Sequence, residues 1–423
     1  MPSDRKSIGK EPASLEEVKE LNIREGLPNV LRKLKEGKNV TIAYLGGSIT
    51  HQEGWRPRSL QWFRERYSNA VIQGINAGVP GTGSDLGAAR LNHDVLRHSP
   101  DLVFVEFQVN DSGTEEKNIK SMEGIVRQVW KKDPHTDICF VYTLKEGQTE
   151  IINAGNYPPN AVTHEKVANH YGIPSIQFGR EVARLEKEGK LIFKGSNSSL
   201  EETEGRILFS TDGIHPVTGG DQLYADAVAR SMVIMEAGID PKPHVLKTPL
   251  YRDNWEDAKM YDIAEAEFSG NWVTLEPEKD LLAKQYAEIP TWFSHLMKSD
   301  TPGDSLTVKF KGRAIGLYDI GGPESGQLRV VVDDNPPVLV DRFTVYNDHI
   351  RHEYFYLPEL EAGSHTVTFT LHTETSDKAE VLGNNSKDFF ENPDKYKGNV
   401  VYLGKILIAG DLVDQEKGSS AKG

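Results

Sequence analysis

Between Asn39 and Ala237, five short apolar runs, VTIAYLG, VIQGINAG, LVFVEFQV, ICFVY and IPSIQF, alternate with longer amphipathic stretches. Several of the runs are apolar at successive positions and not only at alternate ones, as strands covered on both faces are. Between them the apolar residues recur at helical spacing. Leu86 to His98 stops short of Pro100, and Ala161 to Tyr171 stops at Gly172 with Pro174 beyond, a helix stop followed by a residue that cannot continue one. Thr218 is placed to cap a last helix that puts Tyr224, Ala227, Val228, Ser231 and Met235 on one face. Strand and helix in alternation predict an α/β domain with an open parallel sheet and helices on both sides.

The pattern changes after EAGIDPKPHVLKTP. From about Tyr251 the chain reads as period-two runs: Leu306/Val308/Phe310, Leu328/Val330/Val332 and Val367/Phe369/Leu371, bounded by Gly, Pro, Asp or Asn. Such runs are half-buried antiparallel strands, and a series of them predicts an all-β sandwich or jelly roll. LRVVVDDNPPVLV reads as a hairpin around Asp334 and Asn335. The expected division is therefore 1–245 for the α/β domain and 246–423 for the β-sandwich, with a frayed polar tail after Val413.

Bulk composition narrows the function. A formal net charge of -14 argues against a surface that tracks a phosphate backbone, so nucleic acid is not an expected partner. The lone cysteine, Cys139, lies inside an apolar run and reads as a small buried hydrophobe, which excludes a disulfide framework or a cysteine metal cluster. No window approaches the roughly 18 consecutive apolar residues of a membrane span. The opening segment MPSDRKSIGKEPASLEEVKE has no apolar core and is not a signal peptide as it stands. That leaves a periplasmic, secreted or cytoplasmic setting open.

In an open α/β sheet the site lies beyond the carboxyl ends of the strands. The first run delivers Gly46-Gly47-Ser48, a hydroxyl where a strand should hand over to a helix. The second leads into Gly81, the third into Asn110 and Asp111. The segment STDGIHP, just before the last helix, brings Asp212 and His215 three residues apart. These parts suit acyl transfer. Ser48 needs a base within hydrogen-bond reach, His215 is the candidate, and Asp212 would fix its tautomer. The N–H groups of Ser48 and Gly81 and the side-chain amide of Asn110 would hold the oxyanion. Gly47, His51, Trp55 and Gln108 lie close enough in sequence to be candidate substrate contacts.

With these residues in this order, about 200 residues of the amino-terminal part resemble the SGNH (GDSL-like) hydrolases. The usual Gly-Asp-Ser-Leu is Gly46-Gly47-Ser48-Ile49 here, similar to a Gly-Gly-Ser-Ile-Thr branch, and the glycine expected two residues before the asparagine is Gln108, which would project into the cleft. The resemblance implies a three-layer, flavodoxin-like fold, no cofactor, no metal, and ester hydrolysis through an acyl-serine. Members with an appended β-sandwich are often carbohydrate esterases, so an acetylated poly- or oligosaccharide is the implied substrate and export the implied setting. Two other readings stay open: a lipase or thioesterase of longer acyl specificity, and a carbohydrate-binding protein whose α/β part is a relic.

Other motifs take plainer readings. GTGSDLG from Gly81 to Gly87 mimics a dinucleotide fingerprint but follows the second strand, and lacks the acidic residue at the end of the next one. Glu106, inside an apolar strand, is expected to be paired structurally. His93, His98, His164 and His170 show no metal-ligand spacing. Tyr354 and Tyr356 read as core aromatics before they read as a sugar platform.

Overall fold

The computed structural model describes residues 18–196, 205–237, 240–277, 279 and 289–413. The opening segment up to residue 17 and the polar tail after Val413 fall outside them. The chain divides into two compact units, one running to residue 254 without 88–93, the other comprising 88–93 and the residues from 255 onward.

In the first unit all five apolar runs are strands. They are β2 (Val40–Gly46), β3 (Ile72–Gly78), β4 (Leu102–Glu106), β5 (Asp137–Tyr142) and β6 (Ser175–Gln177), joined at the edge by a short β1 (Leu21–Asn22). The sheet order is β1-β6-β5-β4-β2-β3, parallel throughout except for antiparallel β1. Strands β2, β4 and β5 are buried along nearly their whole length, which is why they carry continuous apolar runs. Cys139 is buried in β5, and burial pushes its thiol up.

The helices are α1 (Pro28–Lys35), α2 (Ser48–His51), α3 (Trp55–Arg66), α4 (Ser84–Asp94), α5 (Glu115–Lys132), α6 (Thr149–Asn153), α7 (Pro159–Tyr171), α8 (Gly179–Lys187) and α9 (Thr218–Met235). Right-handed crossovers fix their sides: the β2–β3 connection runs one way along the sheet, the β3–β4 connection runs back past β2 and the later ones continue in that second direction, so α3 and α5 cover opposite faces. Accordingly α3 packs on α9, and α5 on α7. The result is the three-layer, flavodoxin-like arrangement.

Local expectations fared unevenly. Helix α7 ends with Gly172 in the left-handed region at φ +76. The stretch Leu86–His98 is not one helix: α4 ends at Asp94, and a 3-10 turn from Leu96 to His98 follows. Thr218 does not cap α9. It is the first helical residue and exposed, and the N-cap, Val217, makes no side-chain capping bond. Residues 247–253 remain with the first unit: Arg127 donates to the Lys247 carbonyl, Glu123 accepts the N–H groups of Leu250 and Tyr251, and Lys120 pairs with Asp253.

The sheet's register sets the stage for the site. Gly46 at the end of β2 is level with Gly78 on β3 and with Glu106 on β4. The strand order reverses at β2, so the loops leaving β2, β3 and β4 begin at one level beside a topological switch point.

The second unit is built from antiparallel strands in one sheet, whose path starts with β11 (Val273–Leu275) and β12 (Leu296–Ser299) and continues β18-β13-β17-β14-β15. Its main members are β13 (Ser305–Gly321), β14 (Gln327–Val332), β15 (Val338–Asp341), β16 (Arg351–Tyr356), β17 (Gly363–Leu371) and β18 (Val401–Leu412). The long β13 changes partner along its length, pairing β17 with its first half and β16 with its second. Its register with β18 shifts at Gly312/Ala314 and at Tyr318/Asp319; such bulges bend a sheet over its own core. Leu306, Val308 and Phe310 of β13 share one core with Leu328, Val330, Val367, Phe369 and Leu371. The β14–β15 hairpin turns through Asp333 at φ +51, where Asn335 N–H reaches the Val332 carbonyl at 3.0 Å.

Candidate active site

The loop after β2 shows what its two glycines do. Neither Gly46 nor Gly47 has a positive φ, so they are not there to bend the backbone. They make room. A Cβ on Gly46 would lie 2.8 Å from the Glu106 carbonyl oxygen and 2.5 Å from Thr50 Oγ1, and one on Gly47 would lie 2.8 Å from Cγ of Asn110. Gly78 is similar, with the His51 nitrogen 2.4 Å from its absent Cβ. Ser48 therefore opens the four-residue α2 packed tightly against the ends of β3 and β4, at a helix start whose N–H groups have no intrahelical acceptor. Gly81 does need its freedom, at φ +69.

His215 Nε2 stands 2.7 Å from Ser48 Oγ, and His215 Nδ1 stands 2.6 Å from Asp212 Oδ2. The other oxygen of Asp212 accepts the N–H groups of Ile214 and His215, each at 2.8 Å, and the Ser210 hydroxyl at 3.0 Å. Partial burial works against charge on Asp212, but the His215 ring and the two N–H donors outweigh it and hold the carboxyl well below the usual carboxylate range. An ionised Asp212 accepts a proton-bearing Nδ1, which leaves Nε2 as the free base facing Ser48.

Asn110 comes from a turn, because β4 stops at Glu106 and does not continue through the apolar FQV. The N–H groups of Asn110 and Asp111 both return to the Phe107 carbonyl, at 3.1 and 2.8 Å. This brings the Asn110 amide against Gly47, where its Oδ1 is buried and accepts no hydrogen bond among the described residues.

Of the candidate substrate contacts, Gly47 lies between Ser48 and Asn110. His51 is half-buried, with Nδ1 3.0 Å from the Gly78 carbonyl oxygen, and so braces the strand end that leads to Gly81. Trp55 does not line a pocket. It is wholly buried, with ring centroids 5.3 Å from Tyr44, 5.9 Å from Phe104 and 5.2 Å from Phe178. Gln108 does not project into the cleft either: it is 1% exposed, and its amide faces Gln148 at 3.4 Å. Trp55 sits near Ser48 in sequence and Gln108 near Asn110, but their side chains point to the interior.

Two further groups brace the site, of which Gln52 carries no sequence signal. Gln52 Nε2 donates to the Pro216 carbonyl at 3.0 Å and to Asp221 at 3.3 Å, tying the serine-bearing segment to the residue after His215. Glu106 is completely buried beneath the serine loop, accepting from Thr50 at 3.0 Å, from Thr143 at 2.7 Å and from the Gly47 N–H. Its partners are thus hydroxyls and an amide, not a cation. Burial pushes its carboxyl up to about 7 despite these donors.

Residues 44–223 match the model of the GDSL-like lipase/acylhydrolase family. Across both units the chain is similar in structure to a two-domain esterase, CEX, active on acetylated mannans. The TM-score is 0.70 at 21% identity, over 91% of this chain and 96% of that one. The same esterase co-crystallised with mannopentaose gives 0.68 at 22% identity, over 92% and 95%. Among curated proteins, none matches the chain in sequence. No helix among the described residues is long and apolar enough to cross a membrane.

Proposed function

We propose that the chain, whose residues 44–223 match the model of the GDSL-like lipase/acylhydrolase family, is a serine esterase that removes O-acetyl groups from a carbohydrate. The observation that carries this reading is the unbroken line Ser48 Oγ, His215, Asp212, with contacts of 2.7 and 2.6 Å. In it Ser48 Oγ attacks the ester carbonyl carbon while His215 Nε2 takes its proton. The carbonyl electrons collect on oxygen, where the N–H of Ser48, the N–H of Gly81 and the amide of Asn110 stabilise the charge; one such donor lowers the barrier by about 3 kcal/mol. Collapse breaks the bond to the leaving sugar oxygen, which takes the proton from His215. Water, deprotonated by the same imidazole, then attacks the acetyl-serine; the bond to Ser48 Oγ breaks, Oγ takes the proton back from His215, and acetate is released. No step requires a cofactor.

Support for the acetyl group and for a glycan comes from the fold shared with an esterase active on acetylated mannans, over nearly the full length of both chains. The test is acetate release from acetylated mannan, xylan and their oligosaccharides, alongside an aryl acetate, for wild type and Ser48→Ala. Release from one glycan that Ser48→Ala abolishes is the expected result. Undiminished release by Ser48→Ala would overturn the nucleophile, and aryl-acetate hydrolysis with silence on every glycan would overturn the substrate.

A further inference from the structure

Two of the three proposed oxyanion donors, Gly81 and Asn110, come from different loops, so something must hold the loops in register. The geometry points to Asp111 as that positioning residue. Its carboxylate is buried, and it receives the chain just beyond Gly81 twice: Oδ1 accepts the Ser84 N–H at 2.7 Å, and Oδ2 accepts the Ser84 hydroxyl at 2.9 Å. The same Oδ2 stands 2.7 Å from Nε2 of His164 on α7, a residue 1% exposed.

The staple is anchored on every side. The Ser84 and Ser121 hydroxyls are 2.6 Å apart, and the Ser121 hydroxyl oxygen lies 3.1 and 3.2 Å from the Lys117 and Asn118 carbonyl oxygens of α5. Asn160 of α7 donates to the carbonyls of Gln108 and of Asp111 itself, at 2.9 and 2.7 Å, and so grips the turn on both sides of Asn110. Thr82 Oγ1 closes the Gly81 loop onto the Val79 carbonyl at 2.8 Å. Gly81 is thus three residues from one end of the staple, and Asn110 one residue from the other. A buried carboxylate that accepts this many bonds is costly to disturb, because removing one partner leaves the others unsatisfied. Charge alone needs only one such contact; the pair of hydrogen bonds from Ser84 fixes an orientation as well.

The inference rests on the reading of Ser48, Gly81 and Asn110 as the catalytic set. If Asp111 aligns the oxyanion donors, its loss weakens the transition state and leaves ground-state binding alone. Asp111→Asn keeps the volume but presents an NH2 group to a donor, so the two loops should drift. A displacement near 1 Å corresponds to a fall in kcat of about 10- to 100-fold.

The experiment measures kcat, KM and the thermal midpoint on an aryl acetate for wild type, Asp111→Asn, Ser84→Ala, Asn110→Ala, the Asp111→Asn/Asn110→Ala double variant and Ser48→Ala. The expected result is a kcat loss in Asp111→Asn and a smaller one in Ser84→Ala, with KM within about threefold of wild type. In the Asn110→Ala background the Asp111 substitution should then cost less than it does alone, since one of the donors it aligns is gone. Near-wild-type kcat in Asp111→Asn would overturn the inference. So would a collapse of fold and activity together in Asp111→Asn with Ser84→Ala fully active, because Asp111 would then be a stability residue only. Full activity in Ser48→Ala would instead overturn the catalytic reading beneath it.

Discussion

Replacing Gly47 by alanine tests the link between packing and chemistry most sharply. The new Cβ would fall 2.2 Å from Oδ1 and 2.8 Å from Cγ of Asn110, whereas such atoms settle near 3.5 Å or beyond. One of the two must retreat by about 1 Å. The backbone at Gly47 is extended, φ -89 and ψ -151, a conformation alanine adopts freely, so the effect is steric and not conformational. The serine loop cannot yield easily, since Gly46 is itself packed on Glu106 and Thr50. Asn110 yields instead. Misplacing its amide by that distance should lower kcat about 100-fold, approaching 1,000-fold if the donor is lost outright. The overpacking should cost about 1–3 kcal/mol of stability. Steady-state kinetics on an aryl acetate, with a denaturant titration to confirm folding, measures both. The decisive control is the Asn110→Ala background. There the clash has no target, so adding Gly47→Ala should cost little more, a strongly non-additive cycle. A Gly47→Ala enzyme with kcat within about threefold of wild type would refute the reasoning, and so would additive losses.

The remaining predictions concern the two acids nearest the serine. Asp212→Asn should keep the loop, since an amide oxygen still accepts the N–H groups of Ile214 and His215. It removes the charge that fixes the His215 tautomer, so kcat on the aryl acetate should fall about 1,000- to 10,000-fold; a loss below tenfold would count against the role. Glu106 should make stability fall with pH. Its folded carboxyl lies at about 7 against 4.5 unfolded, so between these values the folded protein holds the extra proton. Its contribution is therefore complete below 4.5 and is lost as pH rises through 7, by about 3 kcal/mol. Glu106→Gln, which has no proton to lose, should become more stable relative to wild type by about that amount between pH 4.5 and 9. Denaturant unfolding at both pH values checks it, and parallel pH dependences for the two proteins would count against it.

Much of the first unit could be read from the chain because local patterns and burial agree. VTIAYLG and ICFVY are apolar at successive positions, and both are strands buried on two faces. The period-two runs at Leu306, Leu328 and Val367 face one core for the complementary reason. Failures came where a long-range contact overrode a local signal. Thr218 has the chemistry of a cap, but the chain enters α9 one residue earlier, pinned where the Val217 N–H meets the Phe209 carbonyl at 2.7 Å. FQV extends an apolar run beyond Glu106, yet its backbone turns because Asn160 holds the carbonyls of Gln108 and Asp111. Trp55 and Gln108 are close to the candidate site in sequence, but side-chain direction is not a property of sequence distance.

The sequence by itself determined the alternation that makes a parallel sheet, the change to antiparallel strands, and the residue types that four loops carry to one rim. Those follow from periodicity and from glycine, hydroxyl, amide and imidazole chemistry, which are local. Only the tertiary structure decided that Gly46, Gly78 and Glu106 lie level across three strands, that Ser48 and His215 come within a hydrogen bond across 167 residues of chain, and that buried Asp111 and Glu106 lie behind the loops. Register and burial arise from the packing of many distant side chains at once, so no single stretch of sequence contains them.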